Sequence, residues 1–375
     1  MKIGIIGSGA MGSGIAQVVA TAGHDVKLYD AHPDATKRAH ENIRVTLRRL
    51  AEKGKLSLIE AGDIANRIDM VERLEGLGDC GLIIEAIVED IDIKKSLFKE
   101  VEMYVTENCI IASNTSSFSI TALAGACQIP ERVLGIHFFN PATLMPLVEV
   151  IPALQTQAEY VEKTLDLVKN WGKIVVTTKD TPGFIVNRIA RPFYSEALRI
   201  YDEGIADFRA IDKAMTDKGF KMGPFTLMDL IGHDVNYSVT ESVWRNTYFE
   251  PRYKPSITQK RLVEAGYLGR KTLRGFYDYT KMNDTQDVIL TQEKSDYISN
   301  RILTMLINEA YDALYWRIAS HADIETAMTK GVNYPKGLLA WGTEIGLDKI
   351  VENMNDLYST YREERYRVSP YFNRL

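Results

Sequence analysis

The chain has 375 residues, 45% of them hydrophobic and 25% charged, and a formal net charge of -5 at pH 7. That length accommodates two or three domains with a sizeable core, and the composition excludes a fibre or a disordered tail. The mild acidity gives no global pull toward nucleic acid or an anionic membrane, so neither is expected as a partner, and no apolar run approaches membrane-spanning length.

The chain opens with MKIGIIGSGAMGSG. Lys2–Ile6 is an isoleucine-rich run suited to a buried parallel strand, and Gly7, Gly9 and Gly12 follow as G-x-G-x-x-G. Gly7 permits a tight turn, Gly9 lets a pyrophosphate approach the backbone, and Gly12 lets the next helix pack closely on the sheet. Ala10 and Met11 start that helix, whose free N–H groups and positive dipole end face the phosphates. A second apolar strand, Asp25–Tyr29, ends in Asp30, eighteen residues after Gly12, where an acid binds the ribose hydroxyls of a dinucleotide. A carboxylate there favours NAD over NADP, since it repels a 2′-phosphate. With a strand starting at Lys2, no targeting segment is expected ahead of it. Cys80, Cys109 and Cys127, odd in number and without metal-ligand spacing, read as core residues of a reducing compartment. A cytoplasmic protein with no bound metal is expected.

Residues 33–60 read as one helix carrying Lys37, Arg38, Arg44, Arg48, Arg49, Lys53 and Lys55, either a solvated face or a platform for a phosphate-bearing substrate. Strands follow at 81–88, Ile110–Ser113, 132–139, 147–151 and Ile174–Thr177, with helices at 93–105 and 161–170 between them. The polar cluster Asn114, Thr115, Ser116 and Ser117 falls just beyond a strand's carboxyl end, where an open α/β sheet places its ligand-contacting loops. His137 lies in an apolar strand, the chain turns after Asn140-Pro141, and Glu149 returns inside another apolar strand. A buried carboxylate needs a cation or donor, and the histidine is the candidate. A carboxylate behind an imidazole fixes its tautomer and stabilises the imidazolium formed when it takes a proton, as alcohol oxidation by NAD requires.

After Thr181 strand signals nearly vanish. Thr181 and Pro182 read as a helix cap and first-turn proline, Pro192 as a kink in the helix that follows, and further helices contain Ile211 and Met215, begin at Pro224, and run from about Asp234. A new helical block begins near Gln292 and repeats the first. At an offset of 113, Asn187, Arg188 and Ile189 meet Asn300, Arg301 and Ile302, while Glu196 and Ala197 meet Glu309 and Ala310. With one residue inserted, Gly223, Gly232 and Asp234 meet Gly337, Gly346 and Asp348. Shared polar and glycine positions indicate a duplication rather than generic amphipathic helices.

The motifs GSGAMG at Gly7, EAIVED at Glu85, SNTSS at Ser113, GIHFFNPA at Gly135, PLVEV at Pro146, PGFIVNR at Pro182 and RGFYDY at Arg274 together resemble the L-3-hydroxyacyl-CoA dehydrogenases, including the bacterial 3-hydroxybutyryl-CoA enzymes. The resemblance implies an α/β Rossmann-like NAD-binding domain over residues 1–181 followed by two all-α repeat domains, 182–289 and 290–375. It implies NAD-dependent reversible oxidation of a 3-hydroxyacyl-CoA in fatty-acid metabolism, with His137 as general base, Glu149 as its partner, and Ser116 and Asn187 hydrogen-bonding an acyl-CoA thioester. Glu89, Lys94, Ser116, Asn140 and Lys271 match positions lining the cofactor, and Thr46 and Lys53 match those contacting CoA. Two departures stand out: Thr46 replaces a common serine, and Lys271-Thr272-Leu273 stands where the family usually has Lys-Thr-Gly. The third block resembles the doubled helical region of larger multifunctional fatty-acid oxidation enzymes. In the short enzymes the one helical domain packs on that of a second subunit, so two copies in one chain are expected to pair internally and replace the usual dimer. A sugar-acid dehydrogenase of the same superfamily and a non-catalytic NAD-binding sensor are the alternatives; the basic helix counts against the first, and the quartet Ser116, His137, Glu149 and Asn187 against the second.

Overall fold

Short apolar runs separated by amphipathic helices dictate the first half of the chain. In the computed structural model, which describes residues 1–281, 288 and 290–374, they form β1 (Lys2–Ile6), α1 (Ala10–Thr21), β2 (Asp25–Tyr29), α2 (Pro33–Glu52), α3 (Leu58–Asn66), β3 (Ile68–Val71), β4 (Leu82–Glu85), α4 (Ile91–Glu102), β5 (Ile110–Ser113), α5 (Ile120–Ala124), β6 (Val133–Phe138), β7 (Leu147–Pro152), α6 (Ala158–Asn170) and β8 (Ile174–Thr177). One eight-stranded sheet results, ordered β3-β2-β1-β4-β5-β6-β7-β8. Every neighbouring pair is parallel except β6 and β7. Sequential order reverses at β1, so the crevice beyond the carboxyl ends of β1 and β4 is the topological switch point of the sheet. The central strands are buried along nearly their whole length, with Ile3, Ile5, Leu28, Leu82 and Ile84 at 0% exposure, which is why they read as continuous apolar runs.

Two local expectations are corrected. A single helix across 33–60 does not form, because Gly54 adopts a left-handed φ of 69° and Ser57 opens α3 with a capping box, its hydroxyl accepting from Glu60 N while its own N–H donates to the Glu60 carboxylate. Nor do Thr181 and Pro182 cap a helix. Gly183 and Phe184 are both left-handed, at φ 78° and 47°, and the first helix of the second unit begins only at Val186.

The chain divides into two compact units, the first ending at Thr181 and the second starting at Pro182. The second contains α7 (Val186–Ile189), α8 (Arg191–Asp202), α9 (Phe208–Asp217), α10 (Pro224–Ile231), α11 (His233–Asn246), α12 (Ile257–Glu264), α13 (Gln292–Tyr315), α14 (His321–Gly331), α15 (Leu338–Ile345) and α16 (Leu347–Tyr361). Pro192 does not kink one long helix. It falls in the first turn of α8, where its missing N–H is harmless, after a break at Ala190. The expected division at 289–290 falls where residue 289 lies outside the described residues. Among the described residues no helix is long and apolar enough to cross a membrane. Burial pushes the Cys80, Cys109 and Cys127 thiols up to about 11, 12 and 12, as befits inert core groups.

Within the helical unit α9, α10 and α11 correspond in order to α14, α15 and α16, and buried charges exchange partners reciprocally. Arg188 Nε and Arg252 Nη1 donate to Glu309 at 3.0 and 2.9 Å, and the Tyr253 hydroxyl donates to the same carboxylate. Adding 113 to the donors, and subtracting it from the acceptor, gives Arg301 Nε, Arg365 Nη2 and the Tyr366 hydroxyl on Glu196, at 2.7, 3.0 and 2.7 Å. Each glutamate is 0% exposed and reads the donors of the other repeat. A second pair repeats the logic within each copy. Asp212 accepts Phe225 N and Thr226 N at the start of α10, and Glu325, 113 residues on, accepts Leu339 N and Ala340 N at the start of α15. Glu196→Ala would strand Arg365 without its carboxylate in a dry site. It is expected to lower the unfolding free energy by about 3–5 kcal/mol in urea titrations, with Glu196→Gln falling between it and the parent chain. A change under about 1 kcal/mol would show that the network does not hold the repeats.

Candidate active site

The glycine turn follows β1 directly. Gly7 sits at φ 100°, its N–H on Tyr29 O at 2.8 Å, and a Cβ on it would lie 2.5 Å from Ala86 O, so neither the conformation nor the space admits another residue. A Cβ on Gly12 would lie 1.8 Å from Gly7 O, so α1 can pass this close to the turn only without a side chain there. At Gly9, the residue preceding α1, a Cβ would meet nothing within 4 Å. The turn opens on a cleft of about 1260 Å³ lined by Gly7, Gly9, Ala10, Asp30, Arg38 and Asn42 among others. Asp30 is oriented by Ser8 N and Oγ, both at 2.8 Å, and by His32 N at 2.9 Å. Burial alone would raise the Asp30 carboxyl, but these hydrogen bonds outweigh it and hold the group below its usual range, so it is ionised at neutral pH.

Beyond the ends of β4 and β5 the structure brings Glu89, Lys94 and Ser116 together around a residue that the sequence reading did not single out, Glu85. Lys94, 1% exposed, places its ammonium 2.5 Å from Glu85 and 3.3 Å from Glu89. Glu85 also accepts the Ser113 hydroxyl at 2.6 Å and Ile87 N at 2.7 Å. Glu89 accepts Thr115 Oγ1 and Ser116 N at 3.1 Å, which ties the loop carrying Ser116 to the end of β4. The signal for Glu85 is in the chain: a lone acid closing the apolar run GLIIEAIV must have a buried donor, and Lys94 is the lysine one turn into the next helix. Asn114, read in the sequence as part of the polar cluster after β5, also positions this loop. Its Oδ1 accepts Phe138 N at 2.8 Å and pins the Ser116 loop against β6.

His137 and Glu149 are placed by strand register. In the antiparallel pairing of β6 with β7 they stand directly opposite one another, and His137 Nδ1 is 2.7 Å from Glu149 Oε2. Cross-strand partners share a face of the sheet, so a histidine and a carboxylate at these positions must meet. Their side chains are 7% and 0% exposed, and in so dry a place the pair is strong because neither group has water to turn to. Phe139 packs on the imidazole with ring centroids 4.6 Å apart.

The other expected residues are more scattered. Asn140 is exposed just after β6. Thr46 is exposed on α2, its hydroxyl turned to Asn42 O at 2.8 Å, and Lys53 is exposed at the end of that helix, seven residues on. Asn187 and Lys271 belong to the helical unit. Asn187 is half-buried on α7, and the Lys271 ammonium is held by both oxygens of Asp234 at 2.5 and 2.6 Å. Leu273, where a glycine is usual, retains the left-handed backbone at φ 57° and ψ 13°, a conformation that costs a side chain about 1–2 kcal/mol.

A glycine turn at the switch point of a parallel sheet, an ionised acid at the end of the second strand and a buried histidine–carboxylate pair define an NAD-dependent dehydrogenase of the Rossmann class. Comparison with known proteins gives the family. The 3-hydroxyacyl-CoA dehydrogenase NAD-binding domain matches residues 2–181, and the C-terminal domain of the same family matches residues 183–279 and 297–375. A 3-hydroxyadipyl-CoA dehydrogenase of Escherichia coli K12 is 37% identical, the match covering 97% of this chain and 95% of that protein. A 3-hydroxybutyryl-CoA dehydrogenase of Bradyrhizobium diazoefficiens is 42% identical over 74% of this chain and 95% of its own length. The crystal structure of a 3-hydroxybutyryl-CoA dehydrogenase from E. coli K12 superposes with a TM-score of 0.94 at 36% identity, covering 100% of this chain and 98% of that one. The chain belongs to the 3-hydroxyacyl-CoA dehydrogenase family, NAD-dependent oxidoreductases acting on a CH–OH group.

The two inner glycines separate packing from binding. Gly12→Ala is expected to lower both thermal stability and NADH affinity, since its Cβ collides with backbone that cannot move aside. Gly9→Ala is expected to melt like the parent chain and still lose NADH affinity about tenfold or more in fluorescence titrations, by filling the approach to the backbone. Unchanged NADH affinity in Gly9→Ala would remove the turn from the cofactor site.

Proposed function

We propose that this chain catalyses the reversible oxidation of a (3S)-3-hydroxyacyl-CoA to the 3-ketoacyl-CoA with His137 as general base. The observation that carries the reading is the buried His137–Glu149 pair at 2.7 Å, set at register-matched positions of β6 and β7. Glu149 accepts the Nδ1 proton, so the tautomer presents Nε2 as the base. When the substrate hydroxyl gives its proton to Nε2, the carboxylate offsets the imidazolium charge. The residues around the glycine turn fit a dinucleotide: the space over Gly9 is open, and the ionised Asp30 faces the same cleft. NAD supplies the hydride acceptor. Gly7, Gly9, Ala10, Met11, Gly12 and Asp30 hold it, and Glu89, Lys94, Asn140 and Lys271 line its site.

Ser116 and Asn187 hold the hydroxyl and thioester oxygens. Thr46 and Lys53 contact the CoA moiety; both are exposed and two turns apart along α2, the spacing at which residues share a helix face. The helical half consists of two repeats dividing at about residues 289–290. The reciprocal capping of Glu196 and Glu309 supports an internal pairing that occupies the face short relatives use for a second subunit, so that mode of dimerisation is not expected. Three free cysteines fit a cytoplasmic setting. An acyl chain ending in methyl, as in hydroxybutyryl, and one ending in a second carboxyl, as in hydroxyadipyl, demand different surroundings for their far ends.

His137→Ala is expected to lower kcat by about two to four orders of magnitude while NADH binding survives; turnover near normal removes His137 from the mechanism. Lys53→Glu should raise KM for acetoacetyl-CoA, with much less effect on a pantetheine-truncated substrate, and added salt should weaken the parent's CoA interaction in the same sense. Equal losses on both substrates would contradict the assignment of α2 to CoA.

A further inference from the structure

Asp229, near the end of α10, is 1% exposed. Its Oδ1 accepts His233 Nε2 at 2.7 Å and Phe276 N at 3.0 Å, and its Oδ2 accepts Tyr277 N and the Tyr279 hydroxyl, both at 3.0 Å. Three of these four donors belong to residues 269–279, the segment beyond α12 that carries Lys271. Burial and the neighbouring carboxylate push the Tyr279 hydroxyl up to about 12, so it remains a donor at neutral pH. Two glycines permit the close approach. A Cβ on Gly275 would lie 2.1 Å from Asp229 Oδ1, and one on Gly269, itself at φ 92°, would lie 2.2 Å from Asp229 O. Lys271 stands between these glycines, so its backbone is fastened on both sides to one buried residue. Its ammonium is directed by Asp234 of α11, at 2.5 and 2.6 Å, and the side chain stays 45% exposed.

The duplication shows that the helices do not themselves need this acid. Gly232 turns α10 into α11 at φ 99° and ψ 129°, and Gly346 turns α15 into α16 at φ 97° and ψ 121°. These two glycines set the offset between the helix pairs at 114, so Asp229, His233 and Asn236 meet Thr343, Leu347 and Ile350. Thr343 directs its hydroxyl back to Leu339 O of its own helix at 3.1 Å. The acid that caps the start of each pair is kept, Asp212 in the first and Glu325 in the second. The capping acid therefore answers a demand of the helices, and Asp229 answers to the segment it binds.

We propose that Asp229 is a positioning residue for the cofactor, one that with His233 seats residues 269–279 on α10 and so presents Lys271 to the dinucleotide. The inference rests on the reading in which Lys271 lines the NAD site. A lysine whose backbone and ammonium are both fixed in advance loses less freedom on binding an anionic ligand than one on a loose loop.

The test is a double-mutant cycle in the full chain, read by NADH fluorescence titration and by KM for NADH and for acetoacetyl-CoA. Lys271→Ala and Asp229→Asn are each expected to weaken NADH binding about tenfold, and the double variant to bind within about twofold of either single one, because both changes remove the same contact. Gly275→Ala, which keeps Asp229 and drives a Cβ into its carboxylate, should reproduce Asp229→Asn. KM for acetoacetyl-CoA should stay within about twofold throughout, whereas a general disturbance of the helical unit, which also carries Asn187, would raise it. Additive losses, about a hundredfold in the double variant, overturn the proposal, as does a matching rise in KM for acetoacetyl-CoA. Asp229→Asn with the parent's NADH affinity, beside an impaired Lys271→Ala, overturns it too. If only one of Asp229→Asn and Gly275→Ala folds, that variant decides; if neither folds, the acid is a requirement of the fold and the proposal fails. Lys271→Ala with the parent's affinity overturns the placing of Lys271 at the cofactor, and the proposal with it, a result distinct from failure at Asp229 alone.

Discussion

Carboxylates that cannot reach water set the terms for this structure. Glu85, Glu149, Glu196 and Glu309 are each 0% exposed, and each is matched to a donor whose position follows from the fold. Glu149 meets His137 because β6 and β7 pair in one register; a slip of one residue would put the two side chains on opposite faces of the sheet and leave a charge buried alone. Glu85 meets Lys94 because the chain turns from β4 straight into α4. Breaking such a pair by removing one partner costs about 3–5 kcal/mol, against a total stability of about 5–15 kcal/mol for a domain. The register and the loop geometry are therefore specified as strongly by these acids as by the apolar core around them, and the same acids shape the chemistry.

The helical unit extends this logic to symmetry. A two-fold interface between identical subunits is self-complementary: if residue i of one touches j of the other, j touches i. Arg188 on Glu309 and Arg301 on Glu196 satisfy that relation inside one chain, as do Arg252 with Arg365 and Tyr253 with Tyr366. Such reciprocity belongs to two copies of one structure packed about a pseudo-two-fold axis. Generic helices would not place an arginine and a glutamate at the same offset and then cross them.

Much of this is legible in the sequence, and the parts that are not fail for physical reasons. The strands next to β1 are apolar throughout and stand out, whereas β3 buries only Ile68 of its four residues and leaves almost no trace. The break between α2 and α3 is written in Gly54 and in Ser57 with Glu60, but a run of basic residues spans it and imitates one helix. His137 and Glu149 are readable as a pair because each is a lone polar group in an apolar strand. Glu85 has the same character, yet its partner lies on a helix whose buried lysine resembles any surface lysine until the fold encloses it. Arg188/Arg301 and Glu196/Glu309 are visible as a repeat. The matching of Arg252 with Arg365 is hidden, since a one-residue insertion near Gly223 is undone before Arg252 and an alignment carried past the insertion misses the return to 113.

Where the two repeats differ is as informative as where they agree. Glutamate, arginine and tyrosine are preserved at the crossed network because either copy loses a counter-charge if the other changes, so the two halves constrain each other. Asn187 and Asn300 keep their identity but not their surroundings, the first half-buried and the second exposed. Arg191 of the first repeat becomes Thr304 in the second, and Thr240, carried by the offset of 114 that relates Gly232 and Asp234 to Gly346 and Asp348, becomes Met354. A duplicated unit that serves only packing can discard a buried cation and avoid its desolvation cost.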